Sequence, residues 1–167
     1  SSHQSRELLP QWDRNADSYL FIGDGHSLLI QTVDASREKF YRSTFSNGVA
    51  GAPQLVLSER NNASPSIDHA GRTIAWLQDA ADRPAEVVVA TLGAGISGLR
   101  QLSHENDALL AQLKVYPVED YWFKGANGDS VQGMILRPPQ WAQGKKFPVV
   151  LLIHGGPQVP WLDQWHG

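Results

Sequence analysis

The sequence predicts a mainly β fold, with blades of a β-propeller leading into the first strands of an α/β domain. Three observations predict it. Up to about Leu113 the chain reads as short strands rich in β-branched and aromatic residues, separated by glycine turns. These strands recur with an offset of about 46–48 residues, the size of a propeller blade. Beyond them, Val149-Val150-Leu151-Leu152-Ile153 is an unbroken apolar run that ends at His154-Gly155-Gly156-Pro157. Such a run is the mark of a strand covered on both faces, as in a helix-covered sheet.

The strands come in pairs. Ser27–Val33 follows the Asp24-Gly25 turn, and Phe40–Phe45 runs into Asn47-Gly48. Thr73–Gln78 follows Ala70-Gly71, and Glu86–Leu92 runs into Gly93. Aligning Gly25 with Gly71 brings Leu28 onto Ile74 and Ile30 onto Trp76. Further along, Glu38 falls on Glu86, Phe40 on Val88, and Gln54-Leu55 on Gln101-Leu102. A β-sandwich with regular turns would give a similar pattern. Two blades cannot close a ring, so the propeller reading implies further blades outside these residues.

After Leu113 the character changes. Asp120–Lys124 and Ser130–Leu136 flank Asn127-Gly128 and read as a hairpin; Pro138-Pro139 closes it. A polar loop through Gln143-Gly144-Lys145-Lys146 then precedes the apolar run. The domain division therefore falls near residues 112–116, with 1–113 as partial propeller and 114–167 as the start of the second domain. Asn106–Leu113 fits either a short helix or a last inner strand.

Composition narrows the function. The 167 residues are 41% hydrophobic with a formal net charge of -3, which gives no electrostatic reason to expect nucleic acid or anionic membrane as a partner. The longest apolar run is too short to span a bilayer. There is no cysteine, so disulfides and thiolate metal sites are excluded. The six histidines show no compact ligand spacing, and no metal is expected. The first residues lack both an initiator Met and the apolar core of a signal peptide. The natural start is thus open to lie upstream.

The chemistry is carried by His154-Gly155-Gly156. A buried strand that opens into His-Gly-Gly matches the oxyanion-hole loop of α/β-hydrolases. A tetrahedral acyl intermediate needs N–H donors aimed at its developing O⁻, and glycine lets the backbone approach without a Cβ in the way. Pro157 has no N–H, so the candidate donors are Gly155, Gly156 and Gln158. A strand end that merely turns on two glycines reads the same way in isolation.

The stretch Lys145–Gln158 resembles the entry to the catalytic domain of the S9, or prolyl oligopeptidase, family of serine peptidases, in its acylaminoacyl-peptidase and dipeptidyl-peptidase 5 branches. Gly125–Asp129 and Gly133–Pro139 are similar to the hairpin that opens that domain, and Ser64–Trp76 to its blade motif. The family's usual Ser-Pro-Asp-Gly turn is replaced here by Ile67-Asp68-His69-Ala70-Gly71. The resemblance implies that residues 1–113 are the last blades of a propeller capping an α/β-hydrolase domain. It also implies acyl transfer by a Ser-Asp-His triad on short peptides near their N-terminus, with no cofactor. Within the family pattern the second glycine supplies an oxyanion N–H, which carries over to Gly156. The nucleophile of this family sits in a G-x-S-x-G elbow after the His-Gly-Gly loop, and no such motif occurs in these residues. The chain alone is therefore expected to be inactive. The resemblance favours a periplasmic over a cytoplasmic home and leaves oligomerisation of the whole protein open. The rival functions are an esterase of the α/β-hydrolase class with an appended β domain and a non-enzymatic propeller binding module.

Two further signals have plainer explanations. Gly93-Ala94-Gly95-Ile96-Ser97-Gly98 is a literal G-x-G-x-x-G, but no amphipathic helix follows it, as a dinucleotide site would need. It aligns with the Gly48–Gly51 loop of the preceding repeat and reads as an inter-strand loop. Trp141, Trp161 and Trp165 lie near the domain junction, where core or interface packing is the default reading; for Trp161, just past the oxyanion loop, facing a substrate is the alternative.

Overall fold

The computed structural model describes residues 5–23, 25–156 and 159–166. It is mainly β. Two antiparallel meanders carry the first hundred residues, and they repeat one another closely. In the first, β1 (Ser18–Phe21) pairs with β2 (Ser27–Asp34), β2 with β3 (Arg37–Ser46), and β3 with both β4 (Val49–Ala50) and β5 (Gln54–Leu57). In the second, β6 (Asn61–Ile67), β7 (Thr73–Ala80), β8 (Arg83–Leu92) and β9 (Ile96–Gln101) pair in sequence order.

The repeat seen in the sequence is also a repeat of hydrogen bonds. Gly25 donates to the Ile22 carbonyl and Gly71 to the Asp68 carbonyl, both at 2.9 Å. Ile22 donates to Ser27 O and Asp68 to Thr73 O, again both at 2.9 Å. Phe45 to His26 and Leu92 to Arg72 close the next rung at 2.8 Å each. Both glycines have φ near the left-handed region, +66° and +68°, which a side chain would resist. At Gly71 the space is closed too, since a Cβ would lie 2.6 Å from the Gly23 backbone nitrogen. The two turns therefore touch backbone to backbone, bringing the sheets together at that end.

The sheets share one core. Leu29 and Phe40 of the first pack with Ile74, Trp76, Val88, Ala90 and Leu92 of the second. Phe40 meets Trp76 edge to face, with ring centroids 5.9 Å apart, and each fully buried side chain of this kind stabilises by about 1.5–3 kcal/mol. The opposite face of the first sheet is closed by the N-terminal segment, where Leu9 and Trp12 cover Leu28, Ile30 and Tyr41. This double cover explains why β2 reads Leu-Leu-Ile without alternation, whereas β7 alternates inward Ile74, Trp76, Gln78 and Ala80 with more exposed residues.

Asn62, fully buried at the start of β6, fastens the two sheets. Its Nδ2 lies within 3.0–3.2 Å of the carbonyls of Glu38, Glu59 and Arg60. Its Oδ1 accepts the Trp76 indole N–H and Gln78 Nε2, both at 2.9 Å.

Between β9 and β10 the ambiguous stretch resolves as one helical turn, α1 (Asp107–Leu110). The predicted hairpin follows as β10 (Glu119–Lys124) and β11 (Ser130–Ile135), with Lys124 opposite Ser130. Asn127 and Gly128 take positive φ at its turn, +58° and +82°, the conformation for which Asn-Gly is suited. The G-x-G-x-x-G segment spans the β8–β9 connection and the first half of β9, so it runs into a strand rather than a helix.

One expected element is corrected. Residues 147–153, read as a strand buried on both faces, form no strand and pair with nothing among the described residues; Val149 to Ile153 are 72–89% exposed. A strand of that kind is stabilised by flanking strands and covering helices, and the described residues place neither beside it.

Candidate active-site loop

The candidate loop begins where this exposed run ends. His154, Gly155 and Gly156 are all exposed. The His154 Nδ1 lies 3.0 Å from the Gly155 carbonyl oxygen. Gly156 adopts φ +139°, a conformation that L side chains rarely reach, so the backbone here requires glycine independently of any chemistry. A Cβ on Gly155 would meet nothing within 4 Å. Among the described residues no backbone carbonyl accepts the N–H of Gly155 or Gly156. Gln158, the third candidate donor, and Pro157 lie outside the described residues.

The remaining predicted residues fall as follows. Trp161 is 42% exposed and meets His166 edge to face at 5.4 Å. Trp141 lies under the Arg137 guanidinium, 4.1 Å from its centroid. The described histidines, at 26, 69, 104, 154 and 166, are all exposed. No helix of the described residues is long and apolar enough to cross a membrane.

Two features near the loop were not legible in the sequence. Asp163 is buried and hydrogen-bonded to residues that lie 82 and 126 positions away in the chain. Trp165 donates its backbone N–H to Asp79 Oδ2 at 3.0 Å. A lone Asp in Val159-Pro160-Trp161-Leu162-Asp163 carries no local signal, because its partners belong to turns far back in the chain.

Several charged groups with shifted protonation lie in or beside the sheets. The Ser103 hydroxyl, with the backbone and side-chain N–H groups of Asn106, holds Glu86 down to about 2. This pins the end of β9 and the start of α1 to β8. Burial pushes the Asp34 carboxyl up, but hydrogen bonds from Tyr41, Arg14 and Lys39 outweigh it and hold it down to about 2. Burial, followed by that same hydrogen bond to Asp34, pushes Tyr41 up to about 12. Burial also raises Glu38. These groups knit the fold.

No protein-family model matches the chain. It is similar along nearly its whole length to fungal dipeptidyl-peptidase 5 proteins. The probable dipeptidyl-peptidase 5 of Aspergillus niger is 29% identical over 170 residues, covering 95% of this chain and 22% of that protein. The Schizosaccharomyces pombe protein is 45% identical over a shorter 47 residues, or 28% of this chain and 7% of that protein. Among solved structures, Pyrococcus horikoshii acylaminoacyl peptidase superposes with a TM-score of 0.70 at 20% identity, over 95% of this chain and 23% of that one. Porphyromonas gingivalis dipeptidyl peptidase 4 gives 0.64 at 18% identity, over 97% and 23%. At these identities the structural likeness is one of fold. The chain spans about a fifth of the length of the curated relatives that it matches along its length. The resemblance to S9 peptidases read from the motifs thus extends along the chain.

Proposed function

We propose that these residues are the part of an S9-type serine peptidase in which two propeller blades, within residues 1–113, lead into the catalytic α/β-hydrolase domain from about residue 114. In this reading Gly155 and Gly156 supply backbone N–H groups to the oxyanion of the acyl intermediate. The observation that carries it is Gly156, held at φ +139° at the exposed end of the apolar run, in a chain similar to dipeptidyl-peptidase 5 proteins over 95% of its length. The likeness of both meanders to a propeller-bearing peptidase fold and their repeated turn bonds support the blade assignment.

The chemistry follows from what an amide bond needs. As a serine oxygen attacks the carbonyl carbon, charge builds on the carbonyl oxygen, and fixed N–H dipoles stabilise that charge without reorganising. A histidine takes the serine proton and returns it to the leaving amine. Serine, aspartate and histidine are proposed to lie in the portion of the relatives' length that this chain does not cover, so these residues alone should not hydrolyse peptides. The substrates proposed are short peptides cut near their N-terminus. The relatives' names favour release of dipeptides over release of an acylated amino acid.

The test uses the full-length gene product. A fluorophosphonate should label it, and it should hydrolyse a dipeptidyl amide faster than an acylaminoacyl amide or a p-nitrophenyl ester. Gly156→Val should lower kcat by roughly 10²–10³-fold, as loss of an oxyanion donor does. A folded Gly156→Val protein with wild-type kcat would reduce Gly156 to a turn residue. Ester hydrolysis without amide hydrolysis would favour an esterase, and no labelling at all a binding module.

A further inference from the structure

Beyond the candidate glycines, residues 159–161 are exposed, and the chain is buried again at Asp163, which is only 6% exposed. Both carboxylate oxygens are engaged. Oδ2 accepts from Nε of Arg37 and Oδ1 from the backbone N–H of Ala81, each at 2.9 Å. The Asp163 N–H donates in turn to the Ser36 carbonyl at 2.8 Å. Ser36 lies in the β2–β3 turn, where Ala35 and Ser36 have φ of +50° and +59°. Ala81 lies in the β7–β8 turn. One residue, through its backbone N–H and its carboxylate, therefore joins corresponding turns of the two sheets. Arg37 is shared as well, since its Nη1 reaches both oxygens of Asp120 on β10, at 3.1 and 2.9 Å. Gln132 on β11 completes the cluster, accepting from Ser36 Oγ at 3.3 Å and donating to Asp120 at 3.1 Å.

A carboxylate this deep is costly unless it is fully paired, and here every polar atom has a donor of defined direction. Charge-assisted bonds of this kind fix position more sharply than apolar contact does. The neighbouring Trp161 is 42% exposed, whereas Asp163 is buried, so the polar bonds of Asp163 are the directional part of the attachment. It comes seven residues after Gly156, so at about 3.3–3.6 Å per residue that glycine lies within roughly 25 Å of the anchor.

We infer that Asp163 is a positioning residue: it clamps the segment after the candidate oxyanion loop onto the turns of both sheets and onto the hairpin, and so sets where the Gly155 and Gly156 donors point. The catalytic half of this inference rests on the acyl-transfer reading above; the clamping does not.

The test uses the full-length gene product with Asp163→Ala, Asp163→Asn and Arg37→Met. Chymotryptic cleavage beside Trp161 and Trp165 should quicken at least about tenfold in Asp163→Ala, since two charge-assisted or buried bonds are lost. Its kcat should fall about tenfold or more with KM within about twofold, the pattern of misplaced transition-state donors. Asp163→Asn keeps an oxygen for the Ala81 N–H and should recover part of both losses. Arg37→Met should resemble it, and the Asp163→Ala/Arg37→Met double variant should lose less than the sum of the two singles, because they share one bond. Should Asp163→Ala not fold, the other two variants decide. Wild-type cleavage rates and kcat in folded Asp163→Asn and Arg37→Met proteins would overturn the inference. A wild-type protein that takes no fluorophosphonate label and cleaves no amide defeats the acyl-transfer reading instead, and the cleavage rates alone then confirm or refute the clamp.

Discussion

Replacing Asn62 by Ala should remove the main polar fastening between the two sheets, and its cost can be worked from the bonds it breaks. The amide oxygen accepts from the Trp76 indole and from Gln78, both buried, and neither has another acceptor among the described bonds. Alanine leaves both donors stranded, and a buried unsatisfied group costs about 1–3 kcal/mol. The amide nitrogen lies close to three carbonyls but has only two hydrogens, so at most two bonds are lost there. At about 0.5–1.5 kcal/mol for each net bond, the total reaches roughly 3–9 kcal/mol. That is a large share of the about 5–15 kcal/mol by which a typical domain is stable. Urea unfolding followed by tryptophan emission would measure it. A double-mutant cycle with Trp76→Phe isolates the mechanism, because phenylalanine removes one stranded donor. The double variant should then cost less than the sum of the singles by about 1–2 kcal/mol. A loss below about 1 kcal/mol for Asn62→Ala, or strict additivity in the cycle, would refute the reasoning.

Other outcomes follow from the same contacts. Glu38 is raised chiefly by burial, so its ionised form opposes folding. Glu38→Gln, which keeps an acceptor for Gln31 Nε2, should raise the melting temperature at pH 7, with the gain shrinking as the pH falls below the usual carboxylate range; a lower melting temperature at pH 7 would count against this. Asp34 is held down to about 2, so it contributes stability above its unfolded value of 3.8, and that contribution is lost as the pH falls toward 2. Asp34→Asn should therefore be less stable than wild type at pH 6 and converge with it near pH 2, which parallel melting curves across that range would show. The 167-residue chain alone should bind a hydrophobic dye and self-associate through Val149–Ile153, all at least 72% exposed. Replacing Val150 and Leu152 by Lys should reduce both, and an unchanged dye signal would place the sticky surface elsewhere.

Local chemistry wrote the legible part of this fold into the sequence. Gly25 and Gly71 announced equivalent turns, because only a residue tolerant of positive φ serves there, and the structure repeats their hydrogen bonds atom for atom. Asn127-Gly128 announced the hairpin for the same reason. Where the determinant was distant, the sequence was silent. β6 has neither alternation nor strand-forming residues in Asn-Asn-Ala-Ser-Pro-Ser, and it bulges between Ala63 and Ser66; it is held in place by what Asn62 reaches across the core. The run 149–153 misled in the opposite direction. Its side chains specify a buried strand, but burial is a property of neighbours, and none stands beside it. The candidate site divides along the same line. Gly156 was visible because its role needs a residue type, whereas Asp163 was invisible because its role needs a place, fixed by two turns that only the folded sheets bring together.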